Sequence, residues 1–287
     1  MPKITFTTDG GTLACTLGEV GAAPYTIADM QGLSPADATI NMTQMALNDG
    51  ALFNSAKVGI NTLNVAIAIE YQAEYYRLQA YRIFRPKSEI RVQYQSQQID
   101  VWIEGYISKA TIGHFDKKQM LVVEIICPFP FWRSSQLLRT EMNTIVKNFH
   151  FPFAIEEDDP IPLGYMQAQQ NTVVMNNGSA ATGFVMTLHA EAAVSNPKIF
   201  NYDTGEFFGL TFSMQAGDLI SIDSTAGQKS VTLERSGAKT NIFNYIMKDS
   251  TWLMLELGAN TFTYEVGTGD EEDLIVEFYH YDLHTGV

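Results

Sequence analysis

The residues that come nearest to a metal-binding pattern are those of His280-Tyr281-Asp282-Leu283-His284. If this segment forms one strand, His280, Asp282 and His284 share a face and present side chains that bind transition metals. The segment itself contains no Glu or Cys to complete a ligand set, so we favour a polar strand without a metal. The sequence therefore predicts no metal site and no cofactor.

A second candidate chemistry is glycoside hydrolysis, which needs two carboxylates held at a fixed separation. The acids at predicted strand ends that could supply such a pair are Glu191, Asp203, Glu206, Asp218 and Asp223. The segments around Asp203-Thr204-Gly205 and Ala216-Gly217-Asp218 are, however, typical of tight turns, which favour Asp and Gly. The sequence has no Gly-x-Ser-x-Gly elbow, P-loop, dinucleotide-binding fingerprint or His-Glu-x-x-His motif. We therefore expect no catalytic residues and no enzymatic activity.

The charge balance disfavours binding to nucleic acids or to anionic membranes. The 287 residues include 18 Lys and Arg against 32 Asp and Glu, a formal net charge of −14. Such a surface repels phosphate groups unless it has a local basic patch, and Lys109, Lys117 and Lys118 are too scattered to predict one. The N-terminal residues lack the apolar segment of a signal peptide, and no window is long enough to span a bilayer. We expect a soluble protein that is made in the cytoplasm.

The cysteines and the acidic run predict no special chemistry. Cys15 and Cys127 are far apart and have no metal-ligand or Cys-x-x-Cys spacing. Two buried thiols are the expected state, although the sequence leaves a long-range disulfide open. The run Glu156-Glu157-Asp158-Asp159 lacks the ligand spacing of a calcium loop and is interpreted as a solvated loop.

The first part of the chain is predicted to be β-rich with one helix. Leu63 to Ile69 alternates strongly apolar residues with small or polar ones, which predicts a strand with one buried face. Gln72 to Phe84 has helical spacing, and Pro86 prevents the helix from continuing. Antiparallel strands in meander order follow over Glu89–Tyr94, Asp100–Ser108 and Met120–Cys127.

The second part is predicted to be a separate β-rich domain after a connector. The prolines of Cys127-Pro128-Phe129-Pro130-Phe131-Trp132 end the first domain, because proline cannot donate to a strand ladder. Ser135 to Val146 is interpreted as a short helix or an irregular segment, and Trp252-Leu253-Met254-Leu255 as an apolar strand. From Asn196 onward, strands alternate with turns rich in Asn, Asp and Gly. The predicted domains are residues 1–133, a connector 134–162, and residues 163–287.

Two groups of motifs together resemble the siphophage distal tail protein family, often called Dit. The first group lies in the N-terminal part: Asp49-Gly50-Ala51, Leu63 to Ile69, Ile83-Phe84-Arg85-Pro86-Lys87, and Ile125 to Trp132, where Phe129 replaces the acidic residue of the family's Cys-Pro-Asp-Pro-Phe-type ending. The second group lies in the C-terminal part: Asn176-Asn177-Gly178, Asn196-Pro197 to Glu206, Gly217-Asp218, Lys229-Ser230-Val231, Ser250-Thr251-Trp252 and Leu257-Gly258-Ala259-Asn260. Their joint order and spacing carry the resemblance.

The resemblance implies a fold and a place in the virion. It implies a mainly β chain: an N-terminal β-sandwich or split barrel with one α-helix and a protruding hairpin, and a C-terminal galectin-like antiparallel β-sandwich. It further implies a homo-hexameric ring at the tip of a siphovirus tail. The implied partners are the tail tube protein, the tail-associated hub or lysin-type protein, receptor-binding or other baseplate proteins and, as a further candidate, the tape measure protein. DNA passes through the ring without specific binding, and nothing inserts in a membrane.

A ring also has a physical requirement, because only a contact between different patches of two copies generates a closed cycle. The strands between Glu89 and Ile125 are a candidate contact arm, although they equally suit completion of the chain's own sheet. The alternative function is a carbohydrate-binding module, in which Trp252 stacks on a sugar ring with Tyr202, Phe207 and Phe208 nearby. The apolar surroundings of Trp252 favour a role in the core instead.

Overall fold

The computed structural model describes residues 2–17, 24–45, 48–113, 119–146, 165–168 and 171–287. The described chain divides into two compact units, of which unit 1 comprises residues 1–135 with 283–287 and unit 2 comprises residues 136–282. The acidic run Glu156–Asp159 and the lysines Lys117 and Lys118 lie outside the described residues.

Unit 1 is a β-rich unit with one helix. Its elements up to Ser134 are β1 (Lys3–Thr8), β2 (Gly11–Leu17), β3 (Tyr25–Gln31), β4 (Ala38–Gln44), β5 (Ala51–Val58), β6 (Asn61–Ile69), α1 (Ala73–Ile83), β7 (Glu89–Gln95), β8 (Asp100–Ile112), β9 (Gln119–Cys127) and β10 (Trp132–Ser134). The strand, helix and meander predicted from the sequence are confirmed in β6, α1 and β7 to β9.

Unit 2 is an antiparallel sandwich. Its strands are β11 (Leu138–Glu141), β12 (Asn143–Val146), β13 (Tyr165–Ala168), β14 (Thr172–Asn176), β15 (Val185–Ala190), β16 (Val194–Ser195), β17 (Lys198–Asn201), β18 (Phe207–Gly209), β19 (Ser213–Met214), β20 (Leu219–Asp223), β21 (Ser230–Arg235), β22 (Ala238–Asn241), β23 (Gly258–Glu265) and β24 (Leu274–His280). Short 3-10 turns lie at Phe243–Tyr245 and Glu271–Asp273. The short helix or irregular segment expected over Ser135–Val146 is wrong, because the strands β11 and β12 cover most of that segment.

A last strand returns the chain to unit 1. This strand, β25 (Leu283–His284), pairs antiparallel with β10, opposite Trp132 and Arg133. The backbone N–H of Val287 also donates to the carbonyl oxygen of Leu33 at 2.9 Å. Unit 1 is therefore built from two separate stretches of sequence.

The sheet of unit 1 has the strand order β25-β10-β8-β7-β1-β2-β3-β6-β9. The long strand β8 pairs with β7 along its first half and with β9 along its second half, so it joins the two sides of the core. Alternate residues of β6, β8 and β9 point inward, as the two-residue period of a strand requires. The helix covers one end of the core through Ala80 and Phe84, and Phe84 packs edge-on against Phe6 with ring centroids 5.3 Å apart.

Unit 2 stacks a six-stranded sheet, β11-β24-β15-β20-β21-β22, against a four-stranded sheet, β14-β23-β17-β18. The inward residues of both sheets form one core. At its centre the rings of Phe184, Phe262 and Phe278 contact one another at centroid distances of 4.8–5.8 Å. The predicted fold class is confirmed: the chain is mainly β with one helix, a protruding hairpin and an antiparallel β-sandwich.

We predict that Phe278→Ala destabilises unit 2 by about 3–5 kcal/mol, because it removes a fully buried ring and leaves a cavity between two sheets. Hydrogen-deuterium exchange resolved by mass spectrometry measures the loss as reduced protection in β15 and β24. Tyr202→Ala is the matched control, because the Tyr202 side chain is 73% exposed. Equal loss of protection in both variants would contradict the description of this core.

Candidate assembly surface

The feature of this chain that most clearly needs a partner is the hairpin formed by β4 and β5, which we call the arm (Ala38–Val58). Every described residue of the arm is exposed, on both faces of the hairpin. The two strands pair with each other antiparallel over their whole length. An isolated two-stranded hairpin is at best marginally stable in water, so the arm lacks the second layer that such a structure needs.

The sequence left two alternatives open for the strands between Glu89 and Ile125, and the structure supports completion of the chain's own sheet rather than a contact arm. Those strands bury alternate residues and complete the sheet of unit 1, with Ile90, Val92, Ile103 and Val123 fully buried. Their inward side chains are already used by their own core. The protruding hairpin lies earlier in the chain, in the arm.

The two faces of the arm differ in chemistry. Residues paired directly across an antiparallel ladder share a face. One face, the apolar face, carries Ala38 opposite Val58, Ile40 opposite Ala56, Met42 opposite Phe53, and Gln44 opposite Ala51. The other face carries Thr39, Asn41, Thr43, Ser55 and Lys57, with Leu52 as its apolar exception. The arm is therefore amphipathic, although it covers no core of its own.

A register shift keeps the apolar face continuous. Strict alternation along β5 would place Phe53 on the same face as Ser55. The pairing shifts between Asn41 and Met42, and this β-bulge leaves Asn54 of β5 without a residue paired opposite it. The side-chain amide of Asn54 donates to Thr43 Oγ1 at 2.7 Å on the polar face. Phe53 thereby lies opposite Met42 on the apolar face. Their side chains are 67% and 61% exposed, which is unusual for residues of this size.

A second exposed apolar surface lies on the outer side of α1. Tyr75 and Leu78 of α1, together with Tyr71 just before it, are called the helix stripe and are 57%, 54% and 44% exposed. The tyrosines of the helix differ in their surroundings: the carbonyl oxygen of Tyr76 accepts the hydroxyl of Tyr25 on the inner side, whereas Tyr75 faces solvent.

The candidate metal set His280, Asp282 and His284 does not form one strand. His280 ends β24 of unit 2 and His284 lies in β25 of unit 1, with an irregular step between them. His280 Nε2 lies 3.1 Å from the carbonyl oxygen of Met175 and 3.5 Å from Asp282 Oδ1. Asp282 Oδ1 also accepts the backbone N–H of Asn177 at 3.1 Å. Both side chains therefore fasten a loop, and no group of three or more metal-binding side chains occurs among the described residues.

Burial lowers the pKa of His280 below its usual value, whereas the nearby Asp282 opposes that shift. The neutral imidazole is thus the favoured form inside the fold. Protonating His280 costs more free energy in the folded protein than in the unfolded chain. The stability of the folded protein therefore depends on pH.

The acids considered for hydrolysis serve turns and ion pairs. Asp203 Oδ2 accepts the backbone N–H of Thr261 at 2.6 Å, and Asp223 Oδ1 accepts that of Thr225 at 2.8 Å. Asp218 is almost fully buried, and the side-chain hydrogen bond from Arg235 lowers its pKa.

The turn interpretation is supported by the backbone as well. Gly205 and Gly217 have φ values of 72° and 84°, which glycine tolerates best. The other two acids lie at the surface: Glu191 Oε1 lies 3.2 Å from His189 Nδ1, and Glu206 is exposed.

Trp252 is held by aromatic neighbours of unit 2. Its ring centroid lies 5.0 Å from that of the buried Phe208 and 5.9 Å from that of Phe243, and Lys229 Nζ lies 5.4 Å from the ring. The sequence interpretation of Trp252 to Leu255 as a strand is wrong. Within this segment only Leu255 makes a β-bridge, an isolated one to Thr182. Trp252 packs against the core of unit 2, as expected.

Of the residues considered with Trp252 for a sugar platform, Phe208 does lie beside it, but Phe208 is buried in the core of unit 2 and is not free to stack on a sugar. Phe207 packs on Phe200 with ring centroids 5.8 Å apart, and Tyr202 lies at a turn with its side chain 73% exposed. No specific contact in unit 2 therefore favours the carbohydrate-binding alternative.

Both cysteines are free and buried, as the sequence predicted. Burial raises the pKa of Cys15 and of Cys127 to about 12. These thiols therefore stay protonated and unreactive near neutral pH.

No helix in the described part of the chain is long and apolar enough to cross a membrane.

The arm was missed by sequence reasoning, although a signal was present. Ala38-Thr39-Ile40-Asn41-Met42-Thr43 alternates small or apolar residues with polar ones, and Asp49-Gly50 is a turn dipeptide. The residues of the return strand alternate less clearly, because the irregularity at Asn54 interrupts their period.

The sequence and the fold were compared with those of known proteins. Residues 177–279 match the family described as siphovirus-type tail component, C-terminal domain. Among curated proteins, none matches the sequence.

Solved structures resemble the chain over nearly its whole length. One is the crystal structure of the phage SPP1 Dit (gp 19.1) protein, described as a paradigm of hub adsorption apparatus in phages that infect Gram-positive bacteria. Its TM-score is 0.67, with 12% sequence identity, and the match covers 97% of this chain and 98% of that one. Chains of the phage P2 baseplate in its activated conformation with Ca and with Sr have TM-scores of 0.52 and 0.51, each at 12% identity over 98% of both chains. The resemblance to distal tail proteins is thereby confirmed.

We predict that His280→Gln reduces the dependence of the stability of unit 2 on pH between pH 7 and 5. The folded-state pKa of His280 is lowered, so its contribution is present above the unfolded value near 6.5 and is lost as the pH falls and the unfolded chain takes up a proton. Thermal unfolding of both proteins across this range measures the effect. His189→Gln is the control, because the side chain of His189 is 40% exposed. An unchanged slope in His280→Gln would contradict this assignment.

Proposed function

We propose that this protein, a Dit-type structural component of a siphovirus tail baseplate, assembles into a closed homo-hexameric ring at the tail tip. The ring joins the tail tube protein to the tail-associated hub or lysin-type protein and leaves a channel through which DNA passes. Receptor-binding or other baseplate proteins attach to it, and the tape measure protein is a further candidate partner. In this proposal unit 1 forms the ring and unit 2 forms its peripheral domain.

The observation that carries the proposal is the apolar face of the arm. Its large side chains, Ile40, Met42, Phe53 and Val58, are between 43% and 67% exposed. Burying one such side chain completely contributes about 1.5–3 kcal/mol, so a partner that covers this face gains substantially. A contiguous exposed apolar surface of this kind is typical of an interaction site.

A second copy of the chain is the partner that the arm suits best. Every copy brings an arm, and the arm belongs to unit 1, which also contains the nine-stranded sheet. A contact in which the arm of one copy binds a different surface of the next copy is heterologous, and such contacts close into rings when the rotation permits.

The roles found for the suspected catalytic groups fit a structural protein. Asp203 and Asp218 fasten turns and ion pairs, and His280 fastens a loop. For the channel, we propose that part of the net charge of −14 faces the lumen, because an acidic wall repels the phosphate backbone of passing DNA. A basic surface potential along the channel of the assembled ring would overturn this part of the proposal.

We predict that Phe53→Lys prevents assembly while both units stay folded. The substitution places a charge on the apolar face, and desolvating that charge in an interface costs several kcal/mol. Native mass spectrometry and negative-stain images of the purified protein measure the result: the unaltered chain gives six-fold rings with an open centre, and Phe53→Lys gives monomers. Because Phe53 is exposed in the single chain, the free energy of unfolding changes by no more than about 0.5 kcal/mol.

Ser55→Lys is the matched control, because Ser55 lies on the polar face of the same strand. We expect rings from this variant. Rings from Phe53→Lys, or a compact monomer from the unaltered chain, would contradict the proposed function, and a monomer that binds cell-wall glycans would support the carbohydrate-binding alternative instead.

A further inference from the structure

The apolar face of the arm has a methionine at its centre. Met42 lies opposite Phe53 across the hairpin, with Ile40 before it and Gln44 after it on the same face. Met42 is 61% exposed, more than any other methionine among the residues whose side chains the structure describes. Small molecules in solution therefore reach its sulfur as long as the arm has no partner.

The other methionines lie outside the apolar face. Met45 follows the end of β4, and Met175 lies on β14 of unit 2, where it is 46% exposed. The remaining described methionines are half-buried or buried: Met30, Met120, Met142, Met186, Met214, Met247 and Met254. Met175 is therefore an internal reference, because its exposure is similar to that of Met42 and it belongs to the other unit.

An exposed thioether is open to oxidation by hydroperoxides. The sulfur of Met42 attacks one oxygen of hydrogen peroxide, so an S–O bond forms and the O–O bond breaks. The proton of the transferred hydroxyl passes to the departing hydroxide, which leaves as water. The sulfur loses two electrons and the peroxide gains them. The product, methionine sulfoxide, is a polar side chain in place of an apolar one.

A sulfoxide at the centre of the apolar face opposes docking. In a free copy water donates hydrogen bonds to the new oxygen, and a partner that covers the face removes this water. Gln44 is the one residue on this face of the arm with a side-chain donor, so the oxygen regains only part of what it loses. Burying a polar group without full compensation lowers a binding constant about tenfold or more.

Oxidation and docking therefore exclude each other at Met42. A free arm exposes the sulfur to the peroxide, whereas a docked arm covers the sulfur with the partner. The same argument does not apply to Met175, which lies outside the arm.

We propose that Met42 is an oxidation site that controls entry into the ring: hydroperoxides convert it to the sulfoxide in unassembled copies, and the sulfoxide prevents the arm of that copy from docking. The proposal rests on the proposed ring and adds a control of its assembly. Because each copy in a closed ring gives its arm to the next, a single oxidised copy leaves one contact of the ring open.

A partly oxidised population of the unaltered chain tests the effect on assembly. Copies separated by dilution are treated with hydrogen peroxide, the peroxide is removed, and the chain is concentrated so that it assembles. Rings and remaining monomers are then separated, and mass spectrometry of their peptides gives the sulfoxide content at each methionine. We expect Met42 sulfoxide to be depleted in the rings about tenfold or more relative to the monomers. Met175 sulfoxide is equally abundant in both fractions.

Treatment of intact rings tests the protection of the sulfur. We expect Met42 to be oxidised about tenfold or more slowly in rings than in separated copies, because susceptibility follows exposure. Met175 is oxidised at the same rate in both.

Met42→Gln tests the polarity of the face without an oxidant, and Met175→Gln is its matched control. We expect monomers from the first variant and rings from the second in native mass spectrometry. Rings from Met42→Gln, equal Met42 sulfoxide in rings and monomers, or equal oxidation rates of Met42 in both would overturn this inference and leave the ring standing. Monomers from the untreated, unaltered chain at every concentration would overturn the proposed function, and this inference with it.

Discussion

A β-strand points every second side chain to the same face, and this constraint organises all parts of the chain. In unit 1 it places alternate residues of β6, β8 and β9 in one core, and in unit 2 it does the same for β15, β20 and β24. The arm obeys the same rule without a core beneath it. Its amphipathic pattern supports the proposal that another molecule supplies the missing layer.

The same constraint explains why the polar candidates for chemistry remain apart. Acids at the ends of strands find backbone N–H groups in adjacent turns, as Asp203 and Asp223 do. Asp218 meets Arg235 across the paired strands β20 and β21. In each case the carboxylate is already satisfied by hydrogen bonds, which stabilises the turn and removes a free group that a reaction would need.

The sequence predicted the elements whose patterns are local. The alternation in Leu63–Ile69 and the helical spacing before Pro86 both lie within a few residues, and β6 and α1 follow them closely. The break between His280 and His284 could not be predicted, because it arises where the chain leaves one sheet for another. The strand β11 was missed for a related reason: its partner β24 lies more than 130 residues away in sequence.

A protruding hairpin was expected as the assembly surface, but it lies in a different segment from the one suggested by the sequence. A protruding hairpin was expected, and the chain has one, but the sequence could not show which hairpin lacks a core. That distinction depends on long-range pairing, such as the pairing of β8 with both β7 and β9, which uses the strands first suspected of protruding. The irregularity at Asn54 also hides the apolar face of the arm from a simple count of alternating residues.

The return of β25 to unit 1 has a consequence for biosynthesis. The strands of unit 1 up to β10 are translated before unit 2, but β25 is translated only after the whole of unit 2. At about 5–20 residues per second, translation needs roughly 7–30 s to proceed from β10 to β25. During that interval the nascent unit 1 carries its arm, and β10 has only one of its two neighbouring strands, β8. The order of translation thus delays completion of unit 1 until unit 2 has been made.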